Sequence, residues 1–137
     1  MTRHAITAAA LTLALAASPA FAAATTLTAR LAGTNETAGG DPDGSGTFSV
    51  DIDAESGDFC YTIKAVKIAA PTMAHVHSGA AGADGPPVVT FPMGEDECVA
   101  AEPAVLRPIV ADPASFYVNI HTADFPKGAV RGQLAKK

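Results

Sequence analysis

The sequence predicts an all-β fold, an antiparallel β-sandwich or barrel with Greek-key connections, and three observations carry that prediction. Apolar and polar residues alternate with period two in one short run after another. The runs are separated by turn-forming clusters, with 12 Gly and 10 Pro in 137 residues. No stretch carries a sustained helical period, and about eight short strands without a helix fit two packed layers of antiparallel sheet.

Taken in order, the chain opens on Arg3 and His4, an apolar run from Ala5 to Ala17, then Ser18-Pro19 and the small-x-small triplet Ala20-Phe21-Ala22. This is the pattern of a secretory signal peptide of bacterial type, residues 1–22, too short to span a bilayer. Cleavage after Ala22 would leave one domain, residues 23–137, in the periplasm or the medium, with no membrane span. Loss of Arg3 leaves eight basic against 14 acidic residues, a net charge of −6. An acidic domain without a basic run is a poor partner for nucleic acid or anionic membrane.

Leu27, Ala29 and Leu31 alternate with polar neighbours, as do Phe48, Val50 and Ile52, and Gly39 to Gly44 between them reads as a loop. Phe59, Tyr61 and Ile63 continue in one phase whereas Val66 and Ile68 fall in the other, which predicts a bulge or bend near Ala65 if both sets face the core. Further strands are expected at Met73–His77, Pro87–Phe91, Ala104–Ile109, Ser115–His121 and Ala129–Leu134. The expected core is Phe48, Val50, Ile52, Val76, Phe116, Val118, Ile120, Val130 and Leu134. Cys60 and Cys98 in an exported chain predict one disulfide, closing a loop of about 39 residues and contributing roughly 4 kcal/mol by chain entropy; two free thiols serving as metal ligands are the alternative.

Alternation also assigns faces. With Val76 in the core, Met73, His75 and His77 share the opposite face; with Phe116, Val118 and Ile120 inside, Tyr117, Asn119 and His121 point away from it, as do Arg131 and Gln133 beside Val130 and Leu134. An H-x-H pair on a strand projects two imidazoles to one side about 7 Å apart at the backbone, and a histidine from a neighbouring strand would complete a three-imidazole site. Such a set suits copper, with zinc second, and Met73 would add a thioether favouring Cu(I). At the ordinary imidazole pKa, affinity would fall as the pH drops through about 6.5. The competing reading makes these histidines ties to loop carbonyls. Asp41 to Gly46 resembles a calcium loop only superficially, because Ile52 stands where the bidentate glutamate is needed. No Gly-x-Ser-x-Gly elbow, Cys-x-x-Cys or phosphate loop is present.

Leu31-Ala32-Gly33-Thr34-Asn35-Glu36, Gly44-Ser45-Gly46-Thr47-Phe48, Ala74-His75-Val76-His77-Ser78-Gly79 with Gly85-Pro86-Pro87-Val88-Val89, and Tyr117 to Thr122 with Phe125 to Leu134 together resemble the CHRD domain, over nearly all of residues 23–137. The family is named for chordin, an extracellular antagonist of bone morphogenetic proteins, and also occurs in exported bacterial proteins; the animal role does not carry over to a single domain. Thr37-Ala38-Gly39-Gly40 departs from the Val-Pro-Pro that often follows the family's glutamate. More distantly, His75-Val76-His77, His121 and Arg131 resemble the order of copper ligands and substrate-guiding arginine in copper-zinc superoxide dismutase, although no histidine lies between His77 and His121 to bridge a zinc. The resemblances imply a Greek-key fold, superoxide-dismutase-like or immunoglobulin-like. They imply a binding module holding copper through His75, His77 and His121, with Met73 as an extra ligand, Arg131, Asn119 and Tyr117 beside it, and no residue given a catalytic role. The alternatives are a copper-only redox enzyme resembling superoxide dismutase, in which Arg131 attracts an anionic substrate, and a structural or adhesive domain that meets another exported protein without metal.

Overall fold

Nine strands, joined by antiparallel pairing throughout, follow the order β5-β4-β7-β8-β1-β2-β3-β6, with β9 added beside β1. They belong to a computed structural model that describes residues 23–137. The segment read as a signal peptide lies outside the described residues. The strands are β1 (Thr25–Ala32), β2 (Ser45–Asp53), β3 (Asp58–Val66), β4 (Pro71–Ser78), β5 (Pro87–Phe91), β6 (Glu97–Ala100), β7 (Phe116–Thr122), β8 (Val130–Gln133) and β9 (Ala135–Lys136), with one α-helix among the described residues, α1 (Pro103–Ala111).

The sheet curls into a nearly closed barrel because its two ends are tied together. A four-residue link, Lys67 to Ala70, joins β3 near one end of the order to β4 near the other. The Tyr61 hydroxyl donates to Pro92 O at 2.8 Å and the Ile63 amide to Gly94 O at 3.0 Å, across the seam between β3 and the chain leaving β5. The Phe91 and Tyr61 rings meet there with centroids 4.6 Å apart. Alternation places Leu27, Leu31, Phe48, Val50, Ile52, Phe59, Tyr61, Ile63, Val76, Val118, Ile120, Val130 and Leu134 in one buried cluster, with Phe116 partly buried against it. All nine expected core residues are therefore inside or packed on the core.

Three local expectations are corrected. Ala104–Ile109 is not a strand but the body of α1, which has Pro103 at its first position, where a missing N–H costs nothing. Leu106 and Ile109, three apart, both point into the core, a spacing that a helix places on one face and a strand does not. Exposed Arg107 reaches back to the Glu55 carboxylate, with Nε 3.2 Å from Oε1 and Nη2 3.2 Å from Oε2. No bulge occurs near Ala65. The β2–β3 register runs unbroken to Ser45↔Val66; Val66 is exposed, and the chain turns only beyond it, at Lys67 with φ 58°, after which Ile68 packs against the core. The irregularity falls instead between Val76 and His77, where β4 shifts against β5. The strands β6 and β9 are additional to those expected.

Cys60 and Cys98 are disulfide-bonded and stand opposite each other in the β3–β6 register. The bridge pins the edge strand β6, which otherwise holds by four backbone pairs. Replacing both cysteines by serine is expected to lower unfolding stability by about 2–4 kcal/mol. Urea unfolding of the double variant measures this, and a loss under about 0.5 kcal/mol would mean that β3 alone holds β6.

Candidate metal centre

Strands β4 and β7 pair so that Met73 lies opposite His121 and His75 opposite Asn119. The i, i+2 spacing puts Met73, His75 and His77 on the face away from Val76, and the antiparallel register brings His121 from β7 alongside them. The ligand-capable atoms of His75, His77 and His121 lie within 4.8 Å of one another. His75 Nδ1 is 3.0 Å from His121 Nε2. Metal–nitrogen bonds near 2.1 Å would require roughly 3.4 Å between donors in a tetrahedral set, which small ring rotations supply.

Two of the rings are oriented by loop carbonyls. His77 Nδ1 lies 2.8 Å from Gly85 O and His121 Nδ1 3.0 Å from Pro126 O. A carbonyl only accepts, so in the neutral rings each Nδ1 carries the proton and each Nε2 carries the lone pair. The loop-tying and metal-holding readings of these histidines are thus compatible: one nitrogen of each ring ties a loop while the other faces the cluster. His77 Nε2 is buried and has no hydrogen-bond partner. His75 is half-buried, and its Nδ1–H is the donor to the lone pair of His121 Nε2 in that pair.

Burial, then the neighbouring His121 and His77, push the His75 pKa down to about 4. Burial is also the main cause that lowers His77, outweighing the Gly85 contact that raises it. His75 therefore stays neutral, the form that binds metal, down to about pH 4, and His77 is shifted in the same direction.

The face carrying these rings is not open. Tyr117, Asn119 and Arg131, which alternation turned away from the core, are all buried, Arg131 at 2% exposure. The segment from Gly79 to Pro86 lies against Tyr117 and Arg131, and that from Asp124 to Gly128 meets His121 through Pro126 O. Tyr117 stacks on His77 with centroids 4.8 Å apart and planes 7° from parallel. The Arg131 guanidinium lies 3.4 Å above the other partner in the stack, the Tyr117 ring. Its nitrogens donate to Asp84 Oδ1, Ala80 O and Ala83 O. Gln133 is half-buried and donates to Gly79 O and Phe116 O. Met73 is 43% exposed, two positions before His75.

Glu36 is the residue that sequence reasoning missed. It follows the 3₁₀ turn Gly33–Asn35 and packs against Gly128, where a Cβ would fall on its carboxyl. Burial raises its pKa to about 7 even though Arg131 and Asn119 pull it down. Glu36 Oε1 and Asn119 Oδ1 are buried without partners. The motif block Leu31 to Glu36 contained the residue, but nothing local in sequence placed a carboxyl behind the histidine face.

The raised pKa fixes a sign. The unfolded carboxyl titrates near 4.5 and the folded one near 7, so this group's contribution to stability is complete below 4.5 and is lost as the pH rises through 7. Glu36→Gln, neutral at every pH, is expected to melt higher than the wild type at about pH 8 and level with it at about pH 4.5. Equal melting temperatures at both values would show that the Glu36 carboxyl ionises freely.

The barrel and its histidine cluster define a disulfide-bonded β domain with a donor set compatible with metal binding. The CHRD domain family model matches residues 27–134, and the chain belongs to that family. No match was found among curated proteins or among solved structures. Among the described residues no helix is long and apolar enough to cross a membrane.

Proposed function

We propose that this protein is an exported binding module that holds one transition-metal ion, copper in preference to zinc, through His75, His77 and His121. The observation that carries the reading is the convergence of three imidazoles within 4.8 Å, two of them oriented by backbone carbonyls. A carbonyl-bound Nδ1 is a recurring feature of metal-binding histidines, since it fixes the tautomer and raises the basicity of the ligating nitrogen. The cluster contains no carboxylate, and neutral nitrogen donors favour Cu over Zn in the divalent series. Met73, opposite His121 and on the His75 face, supplies a thioether for Cu(I). The disulfide accords with an oxidising compartment and so with export by residues 1–22. The redox-enzyme alternative gains less, because an arginine that is buried and paired with Asp84 presents no charge to draw an anion from solution.

Titration of the metal-free domain with Cu(II), Cu(I) and Zn(II) in competition with chelators tests the proposal. One copper per chain, bound more tightly than zinc and without superoxide dismutation by the loaded protein, is expected. Failure to bind copper, or equal binding by a variant lacking all three histidines, would overturn it.

A further inference from the structure

Three bonds from one guanidinium converge on the exposed middle of one loop. The segment Gly79 to Pro86 is rich in Gly and Ala, and Ala80 to Asp84 are exposed, so apolar burial does not fix its shape. Arg131 Nη1 donates to Asp84 Oδ1 at 3.2 Å, and Nη2 to Ala80 O at 3.1 Å and Ala83 O at 2.6 Å. The other ties are Gln133 to Gly79 O, the Gly79 amide to Ser115 O and the Ser78 amide to Pro86 O at its ends, the Ala83 amide to Ala80 O within it, Thr37 to Asp84, and the Gly85 amide to the Tyr117 hydroxyl, a long contact at 3.5 Å to a ring that Arg131 itself covers. The residue after Asp84 is Gly85, whose carbonyl takes the Nδ1 proton of His77 at 2.8 Å.

We propose that Arg131 is a positioning residue for His77: by clamping the 79–86 loop it holds the Gly85 carbonyl against Nδ1 and so keeps the ring in the tautomer whose Nε2 lone pair faces the histidine cluster. The clamp acts on His77 alone, because His121 is held by Pro126 O on the other loop. Arg131 also braces the opposite side of the ring through Tyr117, which lies between the guanidinium and the imidazole. The consequence for metal affinity rests on the metal-binding reading; the consequence for the tautomer does not.

Charge and clamp predict opposite signs. The Arg131 cation, separated from the His77 ring only by Tyr117, repels positive charge there, so its charge alone would weaken a bound cation. Neutralising Arg131 should therefore tighten metal binding if charge were its whole effect, and weaken it if the clamp dominates.

The test is long-range ¹H–¹⁵N NMR of the imidazoles in the metal-free protein near pH 7.5, with Cu(II) titration in parallel, for the wild type, Arg131→Met and Arg131→Lys. The expected wild-type result is the Nδ1–H tautomer at both His77 and His121. In Arg131→Met the His77 signals should move to a mixture of tautomers while those of His121 stay, and Cu(II) affinity should fall about 10- to 100-fold. Arg131→Lys retains the charge without the planar fork and should show the same His77 change in part, providing the readout if the Met variant does not fold. An unaltered His77 tautomer in the folded variant, or tighter copper binding by Arg131→Met, would overturn the proposal. If the wild type binds no copper yet the tautomer responds, the metal reading fails and the clamp stands; if the wild type binds copper and the variants match it in tautomer and affinity, the clamp alone fails.

Discussion

Removing either buried imidazole, by His77→Ala or His121→Ala, is expected to lower Cu(II) affinity by about 100-fold or more, beyond the 10- to 100-fold typical of losing only a group that orients a ligand. Each of these rings enters the cluster already fixed by a carbonyl, so its loss removes both a donor and the ordering that came with it. His75 is half-buried and has no carbonyl tie; its Nδ1 meets only His121. His75→Ala should therefore cost less than either of the others. Proton competition at His75 itself should set in only as the pH nears 4. Chelator competition as the pH is lowered, with circular dichroism as a check on folding, measures both effects. Equal affinity in wild type and His77→Ala, or protonation of His75 near 6.5, would contradict this account of the site.

Period-two alternation made the strands and the core legible, because a strand that buries one face writes that face into every second residue. It also placed the three histidines on one side of two strands. It failed at α1, where Ala104 to Ile109 reads as a strand and the deciding fact, burial of Leu106 together with Ile109 against the barrel, is tertiary. It also treated the face away from the core as an outside. Tyr117, Asn119 and Arg131 face away from the core and are buried all the same, with the 79–86 segment against Tyr117 and Arg131 and the 124–128 segment meeting His121. Those contacts join residues far apart in the chain, such as Arg131 with Ala83 and Glu36 with Gly128, and they depend on backbone carbonyls and on glycines that lack a Cβ. Hydropathy patterns carry no record of either. The family motif contains several of these residues, Gly85, Gly128 and Arg131 among them, without stating what each one touches.

Phe91→Ala is expected to destabilise the domain by about 3–5 kcal/mol, a large share of the roughly 5–15 kcal/mol that holds a domain of this size together. Phe91 ends β5, the strand at one end of the sheet order, yet its ring lies 5.6 Å from Phe48, 5.4 Å from Phe59 and 4.6 Å from Tyr61, which sit on β2 and β3 near the other end. It is 2% exposed, so truncation opens a cavity where the barrel's seam is joined by side chains and only a few hydrogen bonds. Tyr61→Phe gives the comparison: it keeps the ring and removes the hydroxyl bond to Pro92 O, and it should cost about 1 kcal/mol. Urea unfolding of the two variants separates packing from hydrogen bonding at the seam. A Phe91→Ala loss no greater than that of Tyr61→Phe would mean that the aromatic cluster does not close the barrel, and that the short β3–β4 link holds its ends together without it.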